Sequence, residues 1–91
     1  MEDASPIVLT LRSQLVTVAI RYAAAKDLKL PTVSAMVLNA GHRLGDLASE
    51  ASDITTVTFE AAMRWFSERW PDDVEWPAGI ARPKVKKREA A

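Results

Sequence analysis

The side chains able to do chemistry in this chain are few, and their types limit what they can do. There is one histidine, His42, and no cysteine. No thiolate is therefore available, and a lone imidazole cannot hold a metal ion by itself. His42 and Asp46 supply a base and an orienter for nucleophilic catalysis, and serines are present. No nucleophile elbow or glycine-rich loop presents one of them, so the chain is read as no enzyme and as carrying no cofactor. Asp72, Asp73 and Glu75 lack the ligand spacing of a calcium loop and read as a solvated turn. What remains is contact chemistry. Thr32 and Ser34 offer hydroxyls, Asn39 a carboxamide, and Lys29, His42 and Arg43 stand around them. Small polar groups framed by cations suit phosphate oxygens and base edges.

Such groups matter only if something holds them. Ser5-Pro6 is a helix start signal, since serine caps and proline suits the first helical position. From Val8 the large apolar residues recur at Leu11, Leu15, Val18 and Tyr22, with Ala19 and Ala23 beside them. Those steps put one stripe on one face and predict a helix over 6–28. Pro31 disfavours helical backbone at Leu30, which places a break at 29–31. A second helix is predicted over 32–39, with Val33, Met36 and Val37 buried and Asn39 and Gly41 as its C-cap region. A short third helix is expected within 42–49, with Leu44, Leu47 and Ala48 inward and Gly45 weakening it.

The next helix is better marked. With Thr55 as N-cap, Ile54 and Phe59 occupy the two positions of a hydrophobic staple. The helix then spans 56–70, its stripe being Phe59, Ala62, Met63, Phe66 and Trp70. Glu60-Arg64 and Arg64-Glu68 are spaced to pair on its outer face, and Pro71 ends it. Trp70-Pro71 and Trp76-Pro77 bracket the acids at 72–75, which reads as an extended strap with Trp76 folded back on the core. The expectation is an all-α fold. Residues 1–5 form a disordered N-terminus, 6–78 a four-helix helix-turn-helix domain closed by the Trp/Pro-rich strap, and 79–91 a disordered basic tail.

Composition sets bounds on this picture. The chain has 91 residues, 48% of them hydrophobic, enough for one small core. A domain this short buries about 60–65% of its unfolded surface, so its stability is modest or shared with a second subunit. No run approaches the roughly 20 apolar residues of a membrane span, and the acidic Met1-Glu2-Asp3 start is wrong for a secretory signal. A cytoplasmic location is expected. Twelve Lys and Arg balance twelve Asp and Glu, which argues against strong indiscriminate binding to nucleic acid. The charges fall in blocks, however. Arg12, Arg21, Lys26, Lys29 and Arg43 precede an acidic stretch over 46–75, and Arg82, Lys84, Lys86, Lys87 and Arg88 follow it.

A reader of duplex DNA presents small polar side chains from the N-terminal turns of one helix to the major groove. Thr32 and Ser34 fit that description, Asn39 is able to read adenine or simply to cap, and Lys29 is placed for a phosphate. Equally, Thr32 fits an ordinary N-cap and Ser34 an ordinary surface serine. Thr32-Val33-Ser34, followed by Val37-Leu38-Asn39 and Gly41, resembles the Thr-Val-Ser-x-Val-Leu-Asn signature in the headpiece of lac-repressor-type regulators. Ile54-Thr55-Thr56-Val57-Thr58 is similar to the start of a later helix there. The likeness covers about ten residues, and Ala35-Met36 stands where one residue is usual. It extends to bacterial and phage helix-turn-helix regulators broadly. The resemblance implies that the Thr-Val-Ser turn opens the recognition helix, with Thr32 and Ser34 facing DNA.

The function expected is thus a small regulator of transcription, a repressor in type, that binds double-stranded DNA as a homodimer. The DNA-contacting set is Lys29, Thr32, Ser34, Asn39, His42, Arg43, Arg82, Lys84, Lys86, Lys87 and Arg88. His42-Arg43 also fits a solvated loop, and the basic tail a solubilising end. Trp65 lies off the apolar stripe and with Trp76 is the candidate dimer or partner surface. The alternative is a protein-interaction module, an adaptor or antiactivator. It would use those tryptophans and the acidic 46–75 stretch.

Overall fold

A computed structural model describes residues 10–85 of the chain. Four helices follow one another: α1 (Leu11–Lys26), α2 (Leu30–Leu38), α3 (Arg43–Ala48) and α4 (Thr56–Arg69). There is no strand among the described residues, so the all-α expectation holds at that level.

α1 starts behind Thr10, whose extended backbone and side-chain oxygen cap the first turn by accepting from the Ser13 N–H at 3.1 Å. The start expected at Ser5-Pro6 lies outside the described residues. Leu15, Val18, Ala19, Tyr22 and Ala23 point inward, on the stripe that the spacing predicts. The helix ends at Asp27 in left-handed backbone (φ 57°). There the Leu28 N–H reaches back to the Ala23 carbonyl at 2.8 Å, closing a Schellman turn.

The first boundary differs from expectation. Lys29 is the N-cap of α2, and Leu30 is already helical. Pro31 sits inside the first turn, where a missing N–H costs nothing because those donors have no intrahelical partner. The local bias that proline imposes on Leu30 is outweighed, because the Leu30 side chain packs against the core. Thr32 is therefore a first-turn residue and not a cap. Both its N–H and that of Val33 go to the Lys29 carbonyl, at 3.0 and 3.1 Å. α2 ends at Asn39, also left-handed (φ 61°), the C-cap role expected of it. In α3, Leu44 and Leu47 are buried as predicted, but Ala48 is exposed.

α4 begins where expected. The Thr55 hydroxyl oxygen accepts from the Thr58 N–H at 3.2 Å, and Ile54 and Phe59 both join the core. Ala62, Met63, Phe66 and Trp70 follow on the inner face. On the outer face Glu68 meets its neighbour Arg69 at 3.3 Å, and not Arg64.

α1 is the centre of the molecule and touches each of the other three helices. Its tie to α4 is aromatic. Tyr22 lies edge-on to Phe66 (5.3 Å between ring centroids) and to Trp65 (5.5 Å), with Trp70 at 6.1 Å. Beyond α4 the chain carries no helix through residue 85. Trp76 packs on Trp70 at 4.8 Å, and the indole N–H of each donates to a carbonyl four residues ahead, Val74 for Trp70 and Ile80 for Trp76.

The tail expected from Gly79 onward starts later than that. Ile80 is buried. The Arg82 guanidinium donates to the Ser67 hydroxyl and carbonyl at 3.0 and 2.9 Å and lies over the Trp76 ring. The Ser67 hydroxyl in turn donates to the Pro83 carbonyl at 2.8 Å. Apolar burial of Ile80 and these charge-assisted bonds hold a segment whose composition alone suggested disorder.

Candidate nucleic-acid interface on the α2 face

Two helix faces compete for the inside of α2. One holds Leu30, Val33, Ser34, Val37 and Leu38; the other holds Thr32, Ala35, Met36 and Asn39. The first is turned to the core, with Val33 fully buried. The second is exposed throughout; Thr32, Ala35 and Met36 recur at the three- and four-residue steps that share one side of a helix, and Asn39 is the exposed C-cap beyond them. Thr32 and Asn39 are thus at the surface, as expected of groups that touch a ligand.

Ser34 is not. It has 0% exposure, and its hydroxyl donates to the Ala40 carbonyl while its oxygen accepts from the Leu44 N–H at 3.0 Å. This corrects the expectation that Ser34 contacts DNA. Its oxygen takes one of the first-turn donors of α3, a helix whose own N-cap residue, His42, makes no side-chain cap bond. Ser34 therefore fixes α3 to α2 across the connecting turn. Met36 moves the other way, from expected core to 48% exposed. Hydropathy places methionine inside and serine outside, whereas the Ala40 carbonyl and the Leu44 N–H at the α2–α3 turn need a hydroxyl at position 34. A helical wheel that takes in Leu30 and Leu38 with Val33 and Val37 is the signal in the sequence that puts Met36 outside.

The charge around this face has a clear pattern. No Asp or Glu occurs from Leu28 to Gly45, and the acids on either side are Asp27 and Asp46. Lys29 is exposed at the N-terminal end of α2. His42 lies past the C-terminal end, its side chain 72% exposed and its Nε2 3.9 Å from the Asp46 carboxylate. Arg43 is half-buried.

The remaining expected contacts divide. Arg82 is occupied with Ser67 and Trp76 as described, so its guanidinium serves the fold. Lys84 is exposed. Lys86, Lys87 and Arg88 lie outside the described residues. Neither tryptophan is free-standing. Trp65 is half-buried against Tyr22 and Phe66 with the Arg69 guanidinium 4.5 Å from its ring, and Trp76 is half-buried against Trp70. Trp65, off the apolar stripe, thus still gains edge contacts with Tyr22 and Phe66. Within the acidic stretch, Glu50 and Asp53 face Arg12 of α1 at 3.7 and 3.5 Å. Arg12 is thereby withdrawn from the basic block, a pairing between residues far apart in the chain that charge counting does not reveal. Among the described residues there is no group of three His, Asp or Glu placed to hold a metal ion. No protein-family model matches the chain, and comparison with curated proteins and with solved structures gives no match.

Proposed function

We propose that this chain is a small DNA-binding regulator that lays α2 in the major groove. α1, the turn at residues 27–29 and α2 act as a helix-turn-helix, and the segment after Trp70 is the strap that closes it. The observation that carries the reading is the α2 face itself. It is exposed and uncharged, and it carries a hydroxyl and a carboxamide. No carboxylate lies between Leu28 and Gly45, and cations stand at both ends. Major-groove readers need small polar groups on the helix and positive charge around it. Lys29 and Arg43 hold phosphates, Thr32 and Asn39 meet base edges, and Ser34 keeps α2 and α3 in a fixed relation. A second copy is part of the proposal, because a helix of nine residues makes too few contacts for a specific site alone.

Zero net charge favours the protein-interaction module; the inward packing of Trp65 and Trp76 weighs against it. Fluorescence anisotropy with labelled duplex decides between the two. For a dimer holding two phosphates per protomer through Lys29 and Arg43, log affinity should fall against log salt with a slope of roughly −3 to −4. Lys29→Glu should weaken binding at least tenfold at low salt and flatten that slope by about 2. A folded protein with no affinity for duplex at low salt would remove the regulator reading.

A further inference from the structure

We infer that the α2 face selects A·T base pairs, reading thymine methyl groups and the adenine major-groove edge. The inference rests on the major-groove reading above and adds which pairs the face accepts. Thr32, Ala35 and Met36 are the exposed side chains that share this side of the helix, and Asn39 is exposed at its C-cap. Between them they offer a hydroxyl with a methyl, a bare methyl, a thioether and a carboxamide. None is Arg or Lys, which would bond O6 and N7 of guanine together, and none is Asp or Glu, which would accept from N4 of cytosine. A G·C pair under this face would keep strongly hydrated edge groups without strong partners, which carries a desolvation cost. An A·T pair matches it. The thymine C5-methyl meets Ala35 and Met36, and the Asn39 carboxamide both accepts from adenine N6 and donates to N7.

The spacing agrees with a short run of such pairs. Seven residues from Thr32 to Asn39 rise about 10 Å along a helix, the span of about three base pairs at roughly 3.4 Å each. The cations Lys29 and Arg43 stand outside this run, where phosphates lie, and no carboxylate within it repels the duplex. Among the described residues Met36, at 48% exposure, is one of three large apolar side chains left exposed, with Ile20 and Val57, and the one on this face; a thymine methyl is an apolar partner of fitting size.

The test is selection of bound sites from a random duplex pool by the full chain at low salt, followed by anisotropy on the winning duplex. Each half-site should show about three consecutive A·T pairs. Replacing their thymines by deoxyuridine removes only the methyl groups and should weaken binding several-fold, and Met36→Ala should shrink that difference, leaving the part that Ala35 supplies. Asn39→Gly should cost about tenfold and erase discrimination at one adenine. Glycine is the substitution of choice because Asn39 has φ 61°, which glycine accepts without strain. Binding with no base preference, or with G·C pairs selected, overturns this inference and leaves the DNA-binding reading standing. So does an A·T preference that survives both deoxyuridine and Asn39→Gly, since groove shape would then be its source. A folded protein that binds no duplex overturns both.

Discussion

The α1–α4 seam and the α2–α3 seam are built on different forces. Between α1 and α4 lie rings: Tyr22 against Trp65, Phe66 and Trp70, with Phe66 fully buried. Each such pair adds about 0.5–1.5 kcal/mol beyond the area it buries, and the seam tolerates the loss of any one polar contact. Between α2 and α3 lies a hydroxyl. Val33, Leu44 and Leu47 supply apolar contact there, but the turn is positioned by Ser34 bonding one carbonyl and one N–H. A seam held by area is strong and forgiving in geometry. One held by two hydrogen bonds is weaker and directional, which under the DNA-binding reading suits a helix that presents one face.

This difference predicts unequal responses to truncation. Phe66→Ala removes the centre of the ring cluster and should cost about 3–5 kcal/mol in urea denaturation, a large share of the total for a domain of this size. Loss of under 1 kcal/mol would mean that the rings do not carry the seam. Ser34→Ala should cost less, about 1–3 kcal/mol, because the buried Leu44 N–H and Ala40 carbonyl each lose a partner. Its signature is local. Amide exchange at Leu44 should speed up by more than at any α4 amide, and uniform acceleration across the chain would show that the two seams are one cooperative unit.

The same difference explains what the sequence revealed. α4 was legible because cap, staple, stripe and stop all agree. Thr55, Ile54 with Phe59, the Phe59-to-Trp70 spacing and Pro71 point to one helix, and apolar area decides its inner face. α2 was legible as a helix but not in its rotation. Val33 and Val37 alone allow Met36 inward; Leu30, left out by the expected start at 32, and the hydrogen bonds made across the turn at Ser34 set the face. The candidate site was therefore half visible. Thr32, Asn39 and Lys29 were found at the surface, Ser34 was misplaced, and Met36 was missed. The partners of Arg82 were hidden for a related reason: a guanidinium in a basic run looks unpartnered until Ser67, fifteen residues back, and Trp76 are seen to receive it. Glycine was a poor guide to helix ends. Asp27, Asn39 and Glu50 hold the left-handed positions after α1, α2 and α3, and Gly41 and Gly45 hold none.

That last point yields the smallest and most telling change. Asp27 joins α1 to the turn before α2, in backbone that an aspartate enters at a cost and glycine enters freely. Its carboxylate also stands at the C-terminal end of α1, where the helix dipole disfavours negative charge. Asp27→Gly relieves both but gives the unfolded chain more freedom, an opposing effect of about 0.4–1 kcal/mol. The net expectation is a gain of about 0.5 kcal/mol, read as a rise in Tm of roughly 2–4 °C. Asp27→Asn separates the contributions, since asparagine tolerates the same backbone without the charge. If the two variants rise equally, charge at the end of α1 is the cause; if only glycine rises, the backbone is. Removing this carboxylate also takes away the acid closest to Lys29 in the sequence, so under the DNA-binding reading both variants should hold duplex more tightly at low salt and lose that advantage as salt screens it.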